Sequence, residues 1–284
     1  MENVKSFFDP ATFTITYVVW DGGKAAVIDS VLDFDPASGG TSTASADQVI
    51  SFIKDNGLEL LYILETHVHA DHVTASQYLR KTLGGRIGIS ENIKSVQRVF
   101  AKIFNLDAAE VQKEADFDLY LSDRQELPLG GLTIRAIATP GHTPACMTFV
   151  VGAAAFVGDT ILMPDSGTAR CDFPGGDAAT LYASIRKIFS LPDQTTLYMC
   201  HDYGADGKRD AAWVTTVAEQ KAGNIHVGGG TPEADYIKMR QTRDATLSMP
   251  ELILPSVQIN MRAGHFPKAE DNGLSYLKLP LNAF

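Results

Sequence analysis

A histidine-rich segment, THVHADH at positions 66–72, carries the clearest chemical pattern in the sequence. It places four potential metal ligands within six residues, and three of the chain's seven histidines are among them: His67, His69, Asp71 and His72. Imidazole and carboxylate groups suit zinc, iron or manganese better than calcium. The nearly unbroken apolar run LELLYILE (58–65) comes directly before the segment and predicts a buried strand. The sequence therefore predicts a transition-metal site at the carboxyl end of a strand.

The spacing within this segment indicates how its side chains could meet. In an extended backbone alternate residues face the same way, so His67 and His69 can face one cavity. Residues 73–83 are predicted to form a helix, and Asp71 and His72 are then expected at its start, near the same cavity. The alternative, a run of solvated polar residues, would require the histidines to cluster by accident and is disfavoured.

Three further polar motifs each follow a predicted strand. TPGHT (139–143) follows LTIRAIA, GDT (158–160) follows AAAFV, and CHDY (200–203) follows TTLYM. They add three candidate ligands: His142, Asp159 and His201. Loops at one edge of a rigid sheet are common places for functional sites, so we expect these side chains to meet. Asp29, which ends the strand AAVID, is either a hydrogen-bond acceptor for a ligand at the same edge or an ordinary turn residue.

The elements that must position these motifs alternate between strands and helices, which is typical of an α/β fold. The pattern predicts strands at 11–20, 24–30, 58–65, 86–90, 132–139, 146–151, 153–158 and 195–200, and helices at 46–56, 73–83, 178–189 and 232–243. Residues 91–116 have a weak helical pattern, and LILPSVQI (252–259) has a strand-like one. No convincing domain boundary is evident, so we expect one domain over residues 1–284, with a C-terminal extension from about residue 204.

Composition restricts the class of protein. Of 284 residues, 45% are apolar and 20% are charged, which suits a globular chain with a sizeable core. The 24 basic and 34 acidic residues sum to −10, which disfavours nucleic-acid binding, and no apolar run is long enough for a membrane helix. The three cysteines form no CxxC pair, so a disulfide scaffold is excluded: Cys146, Cys171 and Cys200. With no evident secretory signal, a reducing, cytoplasmic location is expected.

The motifs THVHADH, GHT, GDT and HDY, in this order, resemble those of the metallo-β-lactamase superfamily. The resemblance extends from about Thr12 to Tyr203 and implies an αββα sandwich. A finer resemblance is to persulfide dioxygenases, the sulfur dioxygenases that oxidise glutathione persulfide. It rests on HADHVTAS (69–76), RCDF (170–173), HDY and NMR (260–262). The stretch SGTARCDFPGG is most similar to bacterial members described as β-lactamase-like hydrolases.

The resemblance to the dioxygenases implies one iron(II) per chain, held by three side chains: His67, His142 and Asp159. Two histidines and one carboxylate on one face form the facial triad of non-haem iron oxygenases, which leaves coordination positions for substrates. The remaining polar groups would orient ligands and water by hydrogen bonds: His69, Asp71, His72 and His201. The expected reaction oxidises glutathione persulfide with O2 and water to sulfite and glutathione.

The same seven residues could instead hold two metal ions, as in dinuclear hydrolases of the superfamily. One ion would then be bound by His67, His69 and His142, the other by Asp71, His72 and His201, with Asp159 as the bridge. Two such ions, zinc for example, would lower the pKa of a shared water towards ~7 for hydrolysis. The ligand inventory does not decide between these chemistries; the outer motifs favour the single iron.

Two other functions remain as alternatives. The first is a dinuclear thioester hydrolase of the glyoxalase II type, which shares the site and the glutathione substrate class. Residues 204–284, with several prolines and glycines, do not resemble the helical glutathione-binding domain of that family. The second is a non-catalytic metal or sulfide sensor. It is disfavoured because the chain shows no DNA-binding helix-turn-helix and its set of ligands is complete. The sequence does not decide the oligomeric state, and a homodimer is one option.

Glutathione carries two carboxylates, so a chain of net charge −10 needs local cations to bind it. Arg170 is the first candidate, since arginine binds a carboxylate through two parallel hydrogen bonds, and a salt bridge to Asp172 is the alternative. Tyr203 is either a hydrogen-bond donor to the substrate or a buried structural tyrosine, and Arg262 is a third candidate. Cys171 stands where eukaryotic members are expected to have threonine and is predicted to be a small buried residue.

Overall fold

The computed structural model describes residues 2–107, 111 and 116–282, and it contains two six-stranded sheets. In spatial order, the first sheet consists of β1 (Asn3–Asp9), β2 (Thr14–Asp21), β3 (Lys24–Ile28), β6 (Glu59–Leu64), β8 (Arg86–Ser90) and β9 (Leu119–Leu121). The second consists of β10 (Glu126–Leu129), β11 (Leu132–Ala138), β12 (Met147–Val151), β13 (Ala154–Phe156), β14 (Thr196–Tyr198) and β15 (Val214–Thr216). A three-stranded sheet adds β5 (Gly40–Ser42), β4 (Val31–Asp35) and β7 (Val73–Thr74).

Helices connect many of these strands. The described helices are α1 (Ala44–Asp55), α2 (Ser76–Leu83), α3 (Ile93–Ile103), α4 (Ala178–Phe189), α5 (Gly204–Gly207), α6 (Val217–Gly223), α7 (Glu233–Asp244) and α8 (Ile253–Asn260). None of them combines the length and the apolar character that a membrane crossing requires.

Three apolar clusters define the layers of the molecule. Val49 of α1 and Phe100 of α3 belong to a cluster between the first three helices and the first sheet. Leu181 of α4 belongs to a cluster on the outer face of the second sheet. Between the two sheets, Tyr17 and Phe156 pack with ring centroids 5.2 Å apart. Because a sheet buries its apolar faces only against other layers, this arrangement gives the αββα sandwich that the sequence predicted.

Parallel pairing brings the site-bearing loops to a common edge of each sheet. In the first sheet β3 runs parallel to β6 and β6 to β8, with Ile28 opposite Leu64 and Leu64 opposite Gly88. In the second sheet β13 runs parallel to β14, with Phe156 opposite Tyr198. Because parallel neighbours end at the same edge, the segments that follow β3 and β6 emerge side by side, as do those that follow β13 and β14.

The predicted strand at 252–259 is wrong, because this stretch forms the helix α8. Its apolar and polar residues alike are buried, for example Val257, Gln258 and Ile259, so the sequence lacks the polar stripe of a surface helix. A short apolar run without that stripe does not distinguish a strand from a buried helix. Pro255 lies in the first turn of α8, where the missing amide hydrogen leaves no helical bond unmade.

The predicted helix at 73–83 begins later than expected. Val73 and Thr74 form β7 and pair with β4, and α2 begins only at Ser76. The prediction that Asp71 and His72 lie at a helix start is therefore wrong, because both lie in the loop before β7. Within the weak helical pattern at 91–116, α3 ends at Ile103, and residues 108–110 and 112–115 lie outside the described residues.

Gly158, directly before Asp159, has a φ of +53°, and a Cβ there would lie 2.6 Å from Oγ1 of Thr66. Gly57 has a similar φ of +61° but open space around it. We expect Gly57→Ala to cost about 1 kcal/mol of unfolding free energy through backbone strain alone. Gly158→Ala should cost about 2–4 kcal/mol, since collision with the histidine-bearing segment adds to that strain. Urea unfolding measures both values, and equal losses would contradict this role of Gly158.

Candidate metal centre

The structure brings all seven sequence-predicted ligands to one end of the sandwich. The loop after β6 carries four of them: His67, His69, Asp71 and His72. The segments after β11, β13 and β14 carry one each, in this order: His142, Asp159 and His201. Six of the seven are almost fully buried, and Asp71 is the partly exposed member.

One subset has the geometry of a facial triad. The Nε2 atoms of His67 and His142 lie 3.8 and 3.9 Å from Oδ2 of Asp159. Ligand atoms of these three residues all lie within 4.8 Å of one another. These separations are too long for hydrogen bonds, but two ligands about 2.1 Å from one ion lie about 3–4 Å apart. The three side chains therefore fit around a single transition-metal ion.

Hydrogen bonds fix both imidazoles of this triad in the orientation that metal binding needs. Nδ1 of His142 donates to the carbonyl oxygen of Arg170 at 2.7 Å, so its Nε2 carries the free lone pair. Nδ1 of His67 lies 3.0 Å from the hydroxyl of Thr66, which in turn donates to Asp29 at 2.9 Å. Burial and the neighbouring imidazoles also lower the pKa of His67 well below its usual range, which favours the neutral, ligating form.

The other polar groups form a second, connected cluster. His201 donates from Nδ1 to Asp159 at 2.7 Å and from Nε2 to Asp71 at 2.8 Å. Burial opposes the charged form of His201, but these two carboxylates raise its pKa well above the usual range. Within this cluster, two buried imidazole nitrogens have no hydrogen-bond partner among the described residues: Nδ1 of His69 and Nε2 of His72. Ligand atoms of these two histidines and Asp71 also lie within 4.8 Å of one another.

Asp29 is the acceptor that its position at a strand end suggested. It accepts hydrogen bonds from the amide of Thr66 at 2.7 Å and from Nε2 of His69 at 2.9 Å. Burial would raise the pKa of Asp29, but the His69 charge and the bonds from His69 and Thr66 lower it. The carboxylate is 2% exposed, and it links the end of β3 to the histidine segment.

Asn260, at the end of α8, is a supporting residue whose role the sequence did not reveal. Its Nδ2 donates to the carbonyl oxygens of His69 and His72 at 2.9 and 2.7 Å. Its Oδ1 accepts from the amide of Thr74 at 2.9 Å. The only sequence indication was the resemblance carried by residues 260–262, and that resemblance implied no structural role for Asn260.

A cavity of about 460 Å³ opens above the metal-binding groups. Its floor includes His142, Asp159 and His201. Apolar side chains line part of the wall, among them Leu162, Phe173, Ile225 and Leu247. Four cationic side chains also line it: Arg170, Lys208, Arg240 and Arg243. The volume is in the range that holds a small organic ligand.

The predicted substrate-binding residues have different positions. The guanidinium of Arg170 lines the cavity, but it donates to both oxygens of Asp172 at 2.6 and 2.7 Å, as the alternative interpretation had it. Tyr203 lines the cavity with its side chain 44% exposed and its ring parallel to that of His201, so it is not a buried structural tyrosine. Arg262 follows α8 and is not among the described residues that line the cavity.

Three cations of the cavity wall were not predicted from the sequence: Lys208, Arg240 and Arg243. Lys208 and Arg243 are exposed, and neither forms an ion pair within the described part of the chain. Nothing in the polar stretch after residue 204 distinguished them from ordinary surface cations.

Cys171 is buried, as predicted. Burial and the nearby carboxylate of Asp244 together raise the pKa of its thiol to about 12.

Comparisons with known proteins identify the family of the fold. A sequence profile described as "Metallo-beta-lactamase superfamily" matches residues 10–201. A Burkholderia pseudomallei protein named "Probable metallo-hydrolase" is 55% identical over 292 residues, which cover 99% of each chain. "Glyoxylase B2" of Dictyostelium discoideum is 46% identical and covers 91% of this chain and 89% of its own.

Two further proteins carry the name ETHE1. The human mitochondrial persulfide dioxygenase ETHE1 is 34% identical over 92% of this chain and 88% of its own. The crystal structure of ETHE1 from Myxococcus xanthus has a TM-score of 0.74 and 29% sequence identity, and it covers 93% of this chain and 100% of that one.

His226 supports the wall of the cavity from behind. Its Nδ1 accepts a hydrogen bond from the amide of Thr168 at 2.9 Å. A Cβ on Gly167, whose φ is +87°, would lie 2.2 Å from the same nitrogen, so the loop packs directly on the imidazole. Burial and the nearby charges of Arg240 and Arg243 lower the pKa of His226 to about 4.

We expect His226 to make stability depend on pH in a defined window. The unfolded histidine, with a pKa of about 6.5, binds a proton before the folded one does, so unfolding becomes easier as the pH falls from 6.5 towards 4. In His226→Asn the amide oxygen can accept the same bond but does not titrate. Between pH 7 and 5, the wild type should lose about 1 kcal/mol more unfolding free energy than this variant, with solvent screening allowed for. Urea unfolding of both proteins at pH 7 and at pH 5 measures this difference. An equal loss of unfolding free energy in the two proteins would contradict the prediction.

Proposed function

The chain belongs to the metallo-β-lactamase superfamily, and we propose that it is an iron(II)-dependent persulfide dioxygenase. It would oxidise glutathione persulfide with O2 and water to sulfite and glutathione. The observation that carries this proposal is the triad in which His67 and His142 present Nε2 towards one oxygen of Asp159. The similarity to the human persulfide dioxygenase ETHE1, at 34% identity over 92% of this chain, supports the same reaction.

The donor set fits iron(II). Two neutral imidazoles and one carboxylate on one face are the ligands of non-haem iron oxygenases, and they leave room for substrates beside the metal. When bound, iron(II) would supply the redox chemistry that lets O2 react with a sulfur anion. The hydrogen bonds of His67 and His142 hold their Nε2 lone pairs ready for the metal, so little rearrangement is needed on binding.

In the one-metal proposal, His201 orients the carboxylate of Asp159. Both of its nitrogens donate to carboxylates, Nδ1 to Asp159 and Nε2 to Asp71. A dinuclear site would need Nε2 of His201 and the Asp71 carboxylate as ligands of the second ion. With a single metal, His201 holds Oδ1 of Asp159 and leaves Oδ2 towards the imidazoles of the triad. Asp159 is thereby oriented as a ligand through one oxygen.

A second candidate function has its own supporting observation. The unpartnered Nδ1 of His69 and Nε2 of His72 are the kind of buried atoms that a further metal ion would satisfy. A dinuclear thioester hydrolase of the glyoxalase II type would use them, and "Glyoxylase B2" of Dictyostelium discoideum is 46% identical to this chain. We rank this function second because the outer motifs, among them HADHVTAS (69–76) and RCDF (170–173), resemble those of the dioxygenases.

The charge distribution of the cavity suits glutathione. The tripeptide carries two carboxylates, and the wall of the cavity includes Lys208 and Arg243, which form no ion pair with any residue that the structure describes. We propose these two as its main anchors, because Arg170 already binds Asp172 through two hydrogen bonds. Arg170 and Tyr203 remain proposed contact residues on account of their place in the wall.

The reaction itself is tested by oxygen consumption. We expect anaerobically iron-loaded protein to take up O2 when glutathione persulfide is added, with sulfite formed in equal amount. His67→Ala should lose iron binding and oxygen uptake together, because it removes one of three ligands, while circular dichroism shows a retained fold. No uptake with iron verified in place would refute the dioxygenase. Hydrolysis of a glutathione thioester with two ions per chain would establish the second candidate.

The anchors are tested by steady-state kinetics with glutathione persulfide. Lys208→Ala and Arg243→Ala should each raise KM about tenfold, with kcat changed about twofold or less, because each removes binding that is uniform along the reaction. Lys238→Ala is the matched control, since Lys238 is an exposed cation on the same helix as Arg243 and does not line the cavity. An equal rise of KM in Lys238→Ala would show that the loss of one positive charge anywhere on the chain explains the effect, and it would contradict the role of Lys208 and Arg243 as anchors.

A further inference from the structure

We infer that the carboxylate of Asp244 acts on the proposed iron ligand His142 through a single peptide group. The carbonyl oxygen of Arg170 accepts a hydrogen bond from Nδ1 of His142 at 2.7 Å. The N–H at the other end of that same peptide bond belongs to Cys171, and it donates to Oδ2 of Asp244 at 3.0 Å. Carboxylate, amide and imidazole are thus connected in one line.

Asp244 is held in this position by a buried ion pair. Arg240 lies one turn earlier on α7 and donates from Nε and Nη2 to Oδ1 of Asp244 at 2.8 and 2.5 Å. The side chains are 1% and 4% exposed for Arg240 and Asp244, so water does not replace either partner. Arg240 also donates from Nη1 to the carbonyl oxygen of Thr168 at 2.9 Å. The pair therefore fixes residues 168–171 at both ends.

The arrangement has a chemical consequence for the histidine. An amide whose N–H donates to an anion becomes a stronger acceptor at its carbonyl, because neighbouring hydrogen bonds polarise one another. A stronger acceptor at Nδ1 makes the opposite nitrogen of His142 more basic and holds the ring in place. Metal-binding histidines usually donate their second ring N–H to a carboxylate, a backbone carbonyl or water. In this protein the negative charge of Asp244 reaches His142 through the Arg170–Cys171 amide.

The other imidazole of the triad is supported in a parallel way. Nδ1 of His67 contacts the Thr66 hydroxyl, and that hydroxyl donates to the buried carboxylate of Asp29. Each triad histidine is therefore separated from a buried carboxylate by one polar group, a hydroxyl for His67 and an amide for His142. This places α7, in the stretch after residue 204 whose role the sequence left open, in the support of the metal site.

The alternative is that Asp244 and Arg240 merely stabilise the fold. A matched pair elsewhere in the chain separates these roles, because Asp202 is also a buried carboxylate bound by an arginine. It accepts from Arg209 at 2.5 and 3.0 Å and from the amide of Ala212 at 2.7 Å. The Ala212 amide has no bond to a histidine among the described residues. Asp244→Asn and Asp202→Asn thus remove equal charge, and only the first interrupts the line to His142.

The test measures iron(II) affinity without substrate, by anaerobic competition with a chromogenic chelator. Asp244→Asn should weaken binding about tenfold to a hundredfold, as loss of outer support of a metal ligand typically does. Asp202→Asn should change it about twofold or less. In metal-free, ¹⁵N-labelled protein, the Nδ1–H resonance of His142 should shift in Asp244→Asn and stay in place in Asp202→Asn. An unchanged affinity in Asp244→Asn, or an equal loss in both variants, would overturn the inference.

A second variant covers a failure of Asp244→Asn to fold. Asp244→Asn combined with Arg240→Met removes both charges, so no unpaired charge stays buried, and the same loss of affinity is expected. Because the test measures His142 as a ligand of the proposed iron(II), this role of Asp244 rests on the proposed function. A wild type without measurable iron(II) affinity would overturn both. A wild-type affinity that the Asp244 variants retain would overturn the role of Asp244 alone.

Discussion

The buried carboxylate of Asp29 holds the histidine segment to the end of the first sheet, and the rest of the site depends on this contact. It accepts hydrogen bonds from the amide and hydroxyl of Thr66 and from His69, at 2.7 to 2.9 Å. Its backbone has a φ of +52°, a conformation that aspartate tolerates better than most residues. The energetic cost of this backbone conformation is small compared with the gain from three hydrogen bonds to a buried anion. The Thr66 hydroxyl that Asp29 holds in place also contacts Nδ1 of His67 and so sets the direction of this imidazole.

From this fixed point the two sheets contribute the ligands in different ways. The first sheet supplies a continuous segment, in which His67 and its neighbours follow a single buried strand. The second supplies single side chains, such as His142 and Asp159, from separate loops. The candidate triad therefore forms only when the two sheets pack face to face. The apolar cluster between them, which includes Tyr17 and Phe156, is thus a condition for the arrangement of the site.

The C-terminal helices complete what the sandwich leaves open. Asn260 of α8 donates to the carbonyl groups of His69 and His72 and thereby fixes the course of the loop between them. Asp244 of α7 binds the segment that carries the acceptor for His142, and Arg243 of the same helix lines the cavity. A chain of net charge −10 thus places several cations together at the cavity wall, which makes the local charge opposite to that of the whole chain.

The sequence by itself determined the ligand types, the strands that precede them and, through the resemblance of four motifs, the sandwich. These features are local, because apolar periodicity and strand-end motifs are encoded within a few residues. Only the tertiary structure decided that residues 252–259 form a helix and that Arg170 binds Asp172. Contacts such as the one from Asn260 to His72 join residues 188 positions apart. No local pattern encodes such a pairing, since a polar side chain acquires its role from neighbours that folding alone brings to it.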